Sequence, residues 1–94
     1  MSITALDRTR TSFVRSFSAL PDDIAALAIE ALVGLLKTPP PTRLRLHKLS
    51  GYKNPKVFTI DVTSNHSHKI SLEIDGCVAI LRKVGTHKEI DRAP

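Results

Sequence analysis

The clearest pattern in the chain is an alternation of apolar and polar positions toward its C-terminal end. Ile70, Leu72 and Ile74 fall on one side of an extended segment, and Lys69, Ser71 and Glu73 on the other. Asp75-Gly76 follows, a dipeptide that strongly signals a two-residue hairpin turn, and a second run, Cys77 to Val84, continues directly. With Asp75 and Gly76 as the loop, Ile74 is expected to face Cys77, Leu72 to face Ala79 and Ile70 to face Leu81, which makes one apolar face. The opposite face then pairs Glu73 with Val78, Ser71 with Ile80 and Lys69 with Arg82. Two cations directly opposite each other repel. Such a pair suits an anionic ligand, although long side chains also relieve it by turning into water.

Upstream, Phe13, Val14, Phe17 and Leu20 recur at helical spacing. A short amphipathic helix is therefore expected over about Arg8 to Ala19, with Arg8, Arg10 and Arg15 on its other side. Pro21 ends it, and Asp22 or Asp23 is placed to cap a second helix, Asp22 to Lys37, and to favour its positive end. Between Ile24 and Leu36 little beyond Glu30 and Gly34 interrupts the apolar residues. A helix apolar nearly all round is covered on more than one side, by the core or by a partner.

Thr38-Pro39-Pro40-Pro41 stops this helix. From Thr42 to Leu49, Leu44 and Leu46 alternate with Arg43, Arg45 and His47, which predicts a short strand with a basic face. Ser50 to Pro55 is expected to be a loop turned by Gly51 and Asn54-Pro55. Lys56 to Val62 reads as a strand with Phe58, Ile60 and Val62 inward and Val57, Thr59 and Asp61 outward. Ser64 to Ser67 turns the chain back, and Ser2 to Leu6 can add a short edge strand. The expected class is α+β: an N-terminal helical hairpin packed on a three- to four-stranded antiparallel sheet, in one domain spanning residues 1–94.

Composition narrows the partners. The formal charge is +5, and there is no tryptophan, so aliphatic side chains must form the core. A small basic domain suits nucleic acid, an acidic protein or a membrane surface, and charge does not choose among them. Cys77 is the only cysteine. It excludes an intramolecular disulfide and a cysteine-based zinc site, and its position predicts a small buried hydrophobe. The opening MSITALDRTR lacks the apolar run of a signal peptide, and Ile24 to Leu36 is too short to span a bilayer, so a cytoplasmic location is expected. His66 and His68 form an H-x-H pair with His47 also available, but no acidic or cysteine ligand stands at a recognised spacing, so neither metal nor cofactor is expected.

One constellation suits chemistry. Lys69 and Arg82 share the open sheet face, Arg43 and Arg45 occupy the neighbouring surface, and His87 follows the last strand between Lys88 and Arg92. Cleavage of an RNA backbone needs a base for the 2′-hydroxyl, an acid for the 5′-oxygen and positive charge for the phosphorane-like transition state. Histidine suits the proton transfers because its ordinary pKa lies near neutrality. A histidine after a strand is also a common polar loop residue.

Leu46-His47-Lys48-Leu49-Ser50-Gly51 resembles the K-L-x-G segment that enters the sheet of RelE/ParE-superfamily toxins. Val57 to Val62, His68 to Ile74 and Val78 to Val84 resemble their successive strands. Val84-Gly85-Thr86-His87-Lys88-Glu89-Ile90 looks like the closing V-G-T-H-x-E-I signature of RelE- and HigB-like members. The resemblance runs from about Phe13 and is most specific from the K-L-x-G segment onward.

It implies the toxin of a type II toxin–antitoxin pair, with a cognate antitoxin as partner. RelE- and HigB-like members cut mRNA on the ribosome; ParE-like members inhibit DNA gyrase without nuclease residues, so the fold alone does not choose the activity. By resemblance Lys69 stands where ribonuclease members carry an arginine for the scissile phosphate. His87 stands at their acid or charge-stabilising position, and Arg82 on the RNA-facing side. Arg43, Arg45, Lys88 and Arg92 are the expected further RNA contacts. Many members place a tyrosine shortly after the histidine, where this chain has Ile90-Asp91. The lysines that RelE carries on the earlier strand correspond roughly to Thr59 and Asp61. A binding module with no activity of its own is a third reading.

Overall fold

The computed structural model describes residues 2–53 and 56–94. Strand β1 (Ala5–Asp7) leads into helices α1 (Thr11–Ser18) and α2 (Asp22–Leu35). A single helical turn at Thr42–Leu44 then precedes β2 (His47–Lys53), β3 (Lys56–Asp61), β4 (His68–Asp75), β5 (Val78–Thr86) and helix α3 (His87–Arg92). The five strands form one sheet in the order β1-β5-β4-β3-β2. The α+β class and the helices that precede the meander are as expected. The edge strand β1 joins parallel to β5, which makes the sheet mixed.

The core lies between the two N-terminal helices and one face of the sheet. Phe13 from α1 and Ala28, Ala31, Leu32 and Leu35 from α2 meet Ile60, Val62, Ile70, Leu72, Ala79, Leu81 and Val84. Each of these strand residues is the inward member of its alternation, so the period-2 pattern is what buries the sheet. Side-chain capping of α2 by an aspartate is not realised: Pro21 precedes its first turn, and Asp22 and Asp23 lie inside that turn, where they favour the positive helix end. Leu27, Ile29, Val33 and Leu36 stay exposed along α2, with Val14 of α1 beside them in kind.

Hairpin register departs from expectation in two steps. Asp75 pairs with Val78, so the loop is Gly76-Cys77, with Gly76 at φ 61°. Glycine at the first loop position is the arrangement of a type II′ turn rather than the expected I′. Cys77 is therefore exposed at the tip, not buried on the apolar face. Its carbonyl accepts the backbone N–H of Thr4 at 2.8 Å and ties β1 to the turn. From the turn, Ile74 faces Ala79 and Leu72 faces Leu81; then the pairing slips, so that Ser71 faces Lys83, Ile70 faces Val84 and Lys69 faces Gly85. An unslipped ladder would set Ile70 opposite Lys83 and turn Val84 away from the core. One extra residue, Arg82, restores the apolar pairing as a β-bulge. The expected opposition of Lys69 and Arg82 does not occur.

Two other boundaries move. Thr42 to Leu44 is helical, and the strand begins at His47 and continues through Gly51 to Lys53 where a loop was expected, with a register break between Lys48 and Lys53. The expected turn at Asn54-Pro55 lies outside the described residues. Helix α3 was not expected at all. It opens on a capping box: Thr86 Oγ1 accepts the Glu89 N–H at 3.3 Å, and the Thr86 N–H donates to Glu89 Oε1 at 3.0 Å.

Where β1 ends, α1 takes over the free edge of β5. Ser12 Oγ donates to the Arg82 carbonyl at 2.6 Å, and the Val84 N–H donates to Ser16 Oγ at 3.0 Å. Two helix hydroxyls thus satisfy backbone groups that a longer edge strand would otherwise pair. Among the described residues, no helix is long and apolar enough to cross a membrane.

Candidate functional site

The second face of the sheet carries the candidate residues, and it is not open. Val57, Thr59, Asp61, Lys69 and Ser71 all lie on it and are all buried. Helix α3 folds back onto β4 and β5, with its Ile90 fully buried. Ser71 Oγ donates to the Pro94 carbonyl at 2.9 Å, and Arg82 Nε donates to the same oxygen at 3.2 Å. Lys69 is left 7% exposed. Val57, Thr59 and Asp61 are outward from the helical core, as expected, but not solvated.

Two clusters of charge sit on this face. Toward the hairpin, Glu73 Oε2 receives Arg10 at 2.8 Å and also Arg82. Burial pushes the Glu73 carboxyl up, but hydrogen bonds from the two guanidinium groups outweigh it and hold the group below its ordinary range. Arg82 is thus committed to Glu73 and to the Pro94 carbonyl. Lys83 Nζ donates to the Ala93 carbonyl at 3.3 Å.

At the other end, the Asp61 carboxylate is 3% exposed and Oδ2 is its working atom. His66 Nδ1 donates to it at 2.7 Å, and Arg45 approaches it at 3.7 Å. A carboxylate only accepts, so Nδ1 carries the proton and Nε2 of the neutral ring keeps its lone pair. Lys69 is the cross-strand neighbour of Asp61. His47 pairs with Thr59, two residues before Asp61: its Nδ1 donates to the Arg45 carbonyl at 2.6 Å, and its Nε2 is 3.4 Å from Thr59 Oγ1.

His87 heads α3 at this same end. Its backbone N–H donates to the Ser67 carbonyl at 2.9 Å, and its Nδ1 lies 2.8 Å from Asp91 Oδ2 across one helical turn. His68 faces Thr86 and is bonded through Nδ1 to Ser67 Oγ. The H-x-H pair therefore divides, one imidazole to Asp61 and the other to Ser67.

The predicted residues accordingly separate. Lys69 and His87 share one end of the face; Arg82 lies toward the other, three residues before the Gly85 that faces Lys69. Arg45 joins the Asp61 cluster, whereas Arg43 is exposed and 3.7 Å from Glu30 on α2, away from it. Lys88 and Arg92 are exposed on α3. Sequence reasoning missed Asp61 and His66 as a pair. The available signal was a carboxylate and an imidazole five residues apart across a predicted reversal.

No family model and no curated protein matches the chain. Among solved structures it is similar to a chain of the RelB–RelE antitoxin–toxin complex from Methanococcus jannaschii. The identity is 26% and the TM-score 0.60, over 89% of this chain and 95% of that one. The likeness thus takes in the helical pair and the sheet together, and it places the chain among folds found in toxin–antitoxin systems.

Proposed function

We propose that this protein is the toxin of a type II toxin–antitoxin pair and that it cuts mRNA on the ribosome. The observation that carries this reading is the end-to-end likeness to a chain of an antitoxin–toxin complex. It is supported by the cationic and imidazole groups gathered around one end of the second sheet face. In this reading His87 supplies a proton or positive charge and Lys69 stabilises the transferring phosphate, while Arg82, bound to Glu73 farther along the face, adds only positive charge at a distance. Arg45, Lys88, Arg92 and the more distant Arg43 steer the RNA. The cut would leave a 2′,3′-cyclic or 3′-phosphate and would use no metal.

The antitoxin would cover the apolar strip of α2, where Ile29 and Val33 are each more than half exposed. Beside it runs a groove of about 750 Å³ between β1, α1 and α2, lined by Leu6, Phe13, Val14, Phe17, Ile29 and Leu32. A segment that folds on binding is the fitting occupant, since it can bury apolar side chains along an extended strip.

Induced expression tests the reading. Translation is expected to arrest, with mRNA 5′ ends mapping to ribosomal A-site codons, and His87→Ala and Lys69→Ala are expected to lower cleavage by 100-fold or more, a general acid–base and charge effect of ordinary size. Full toxicity in both variants would reject the nuclease reading.

The burial of Lys69 and the commitment of Arg82 to Glu73 favour a second reading, a non-enzymatic inhibitor of DNA gyrase. A supercoiling block without mRNA cleavage would select it.

A further inference from the structure

We infer that Asp61 and His66 form a catalytic dyad in which His66 is the general base of the cleavage reaction; this rests on the ribonuclease reading above. Three observations lead there. First, Asp61 is buried and aims one oxygen at His66 Nδ1, 2.7 Å away, while the imidazole itself is about half exposed. A fixed carboxylate behind an accessible ring sets both the tautomer and the orientation, and it stabilises the imidazolium that forms when Nε2 takes a proton. Second, the backbone is held in an unfavourable conformation to achieve this. Arg45 and His66 are the non-glycine residues with positive φ among the described residues, at 50° and 61°, and both direct their side chains at the same Asp61 oxygen. Such a conformation persists where surrounding structure enforces it.

Third, the backbone of a candidate acid is tied to the turn that carries the base. The His87 N–H donates to the carbonyl of Ser67, the residue after His66, and its Nδ1 lies 2.8 Å from Asp91 Oδ2. The charged and titratable groups on the elements that meet at this turn are Asp61 on β3, Arg45 before β2, His47 in β2, His68 and Lys69 on β4, and His87 with Asp91 on α3. In the reaction, His66 Nε2 takes the proton of a ribose 2′-hydroxyl. The 2′-oxygen bonds to phosphorus, the bond from phosphorus to the 5′-oxygen breaks, and protonated His87 gives its Nε2 proton to that leaving oxygen. The products are a 2′,3′-cyclic phosphate and a 5′-hydroxyl, and the two histidines exchange protonation states.

The test is single-turnover cleavage of mRNA on programmed ribosomes by the full chain, across pH 5 to 9, for the wild type, His66→Gly and His66→Gln. Glycine is the informative choice because it adopts the positive φ at residue 66 without strain, so the loss of the ring need not unfold the turn. Wild type should give a bell-shaped profile. His66→Gly should melt as a cooperative fold, lose at least 100-fold in rate and lose the acidic limb of the bell. Added imidazole should restore part of that rate in His66→Gly, and not in the bulkier His66→Gln. If His66→Gly cleaves within threefold of wild type, or is inactive yet unrescued by imidazole while His66→Gln keeps the acidic limb, the dyad is overturned and the ribonuclease reading stands. If the wild type itself leaves mRNA intact, both fall.

Discussion

The second face of the sheet holds two carboxylates in similar settings that have been put to different uses. Glu73 stands between Arg10 and Arg82, and Asp61 between Arg45 and His66. At Glu73 both partners are permanently charged, so the cluster locks the start of α1 to the β5 bulge and has no proton to exchange near neutral pH. At Asp61 one partner is an imidazole with its far nitrogen uncommitted. The same device, an acid set among bases, is a fastener in one place and a proton relay in the other, and the identity of one partner decides which.

Neutralising each carboxylate in turn breaks the comparison at its largest effect. Asp61→Asn preserves an acceptor for His66 but removes the charge that stabilises an imidazolium. Its cleavage rate is expected to fall roughly 10- to 100-fold, whereas Glu73→Gln should cleave within a few-fold of wild type in the same assay. Equal losses in the two variants would erase the distinction.

Glu73→Gln should instead appear in stability. Replacing a partly buried, doubly bonded carboxylate is expected to cost about 1–3 kcal/mol in urea unfolding at pH 7. The sign of the pH dependence follows from the direction of the shift. Glu73 is held below its ordinary value of 4.5, so its contribution is complete above that value and is lost as pH falls from it through the lower folded value. Wild type should therefore lose more stability than Glu73→Gln over that acid window, and the two curves should converge there.

The smallest effect concerns α3, which packs on β4 and β5. Thr86→Ala removes one half of the α3 capping box and should cost about 1 kcal/mol. Amide exchange in α3 should quicken more than in β4, because α3 is short and held mainly by its cap and Ile90.

Much of the bulge was legible without coordinates. Along β5 the apolar residues Ala79 and Leu81 are two apart, but the next, Val84, is three further on. A strict alternation cannot bury all three, and one extra residue is the usual remedy. Helix α3 was legible too, in Thr86-x-x-Glu89. The opposition of Lys69 and Arg82 rested on a turn register that Asp75-Gly76-Cys77 leaves open. The structure settles it through contacts distant in sequence, among them the Thr4 N–H on the Cys77 carbonyl.

The sequence by itself determined the class of fold: two N-terminal helices, three strongly patterned strands, a reversal near Gly76, and which side of each strand enters the helical core. These are local properties, set by apolar periodicity and by residues that stop helices. Tertiary structure alone decided what covers the other side of the sheet and which charges meet there. The burial of Lys69, the capture of Arg82 by Glu73 and the convergence of Arg45 and His66 on Asp61 join segments distant in sequence or turned sharply by the fold. No periodicity along the chain encodes such meetings; they follow from how the strands register and where the C-terminal helix comes to rest.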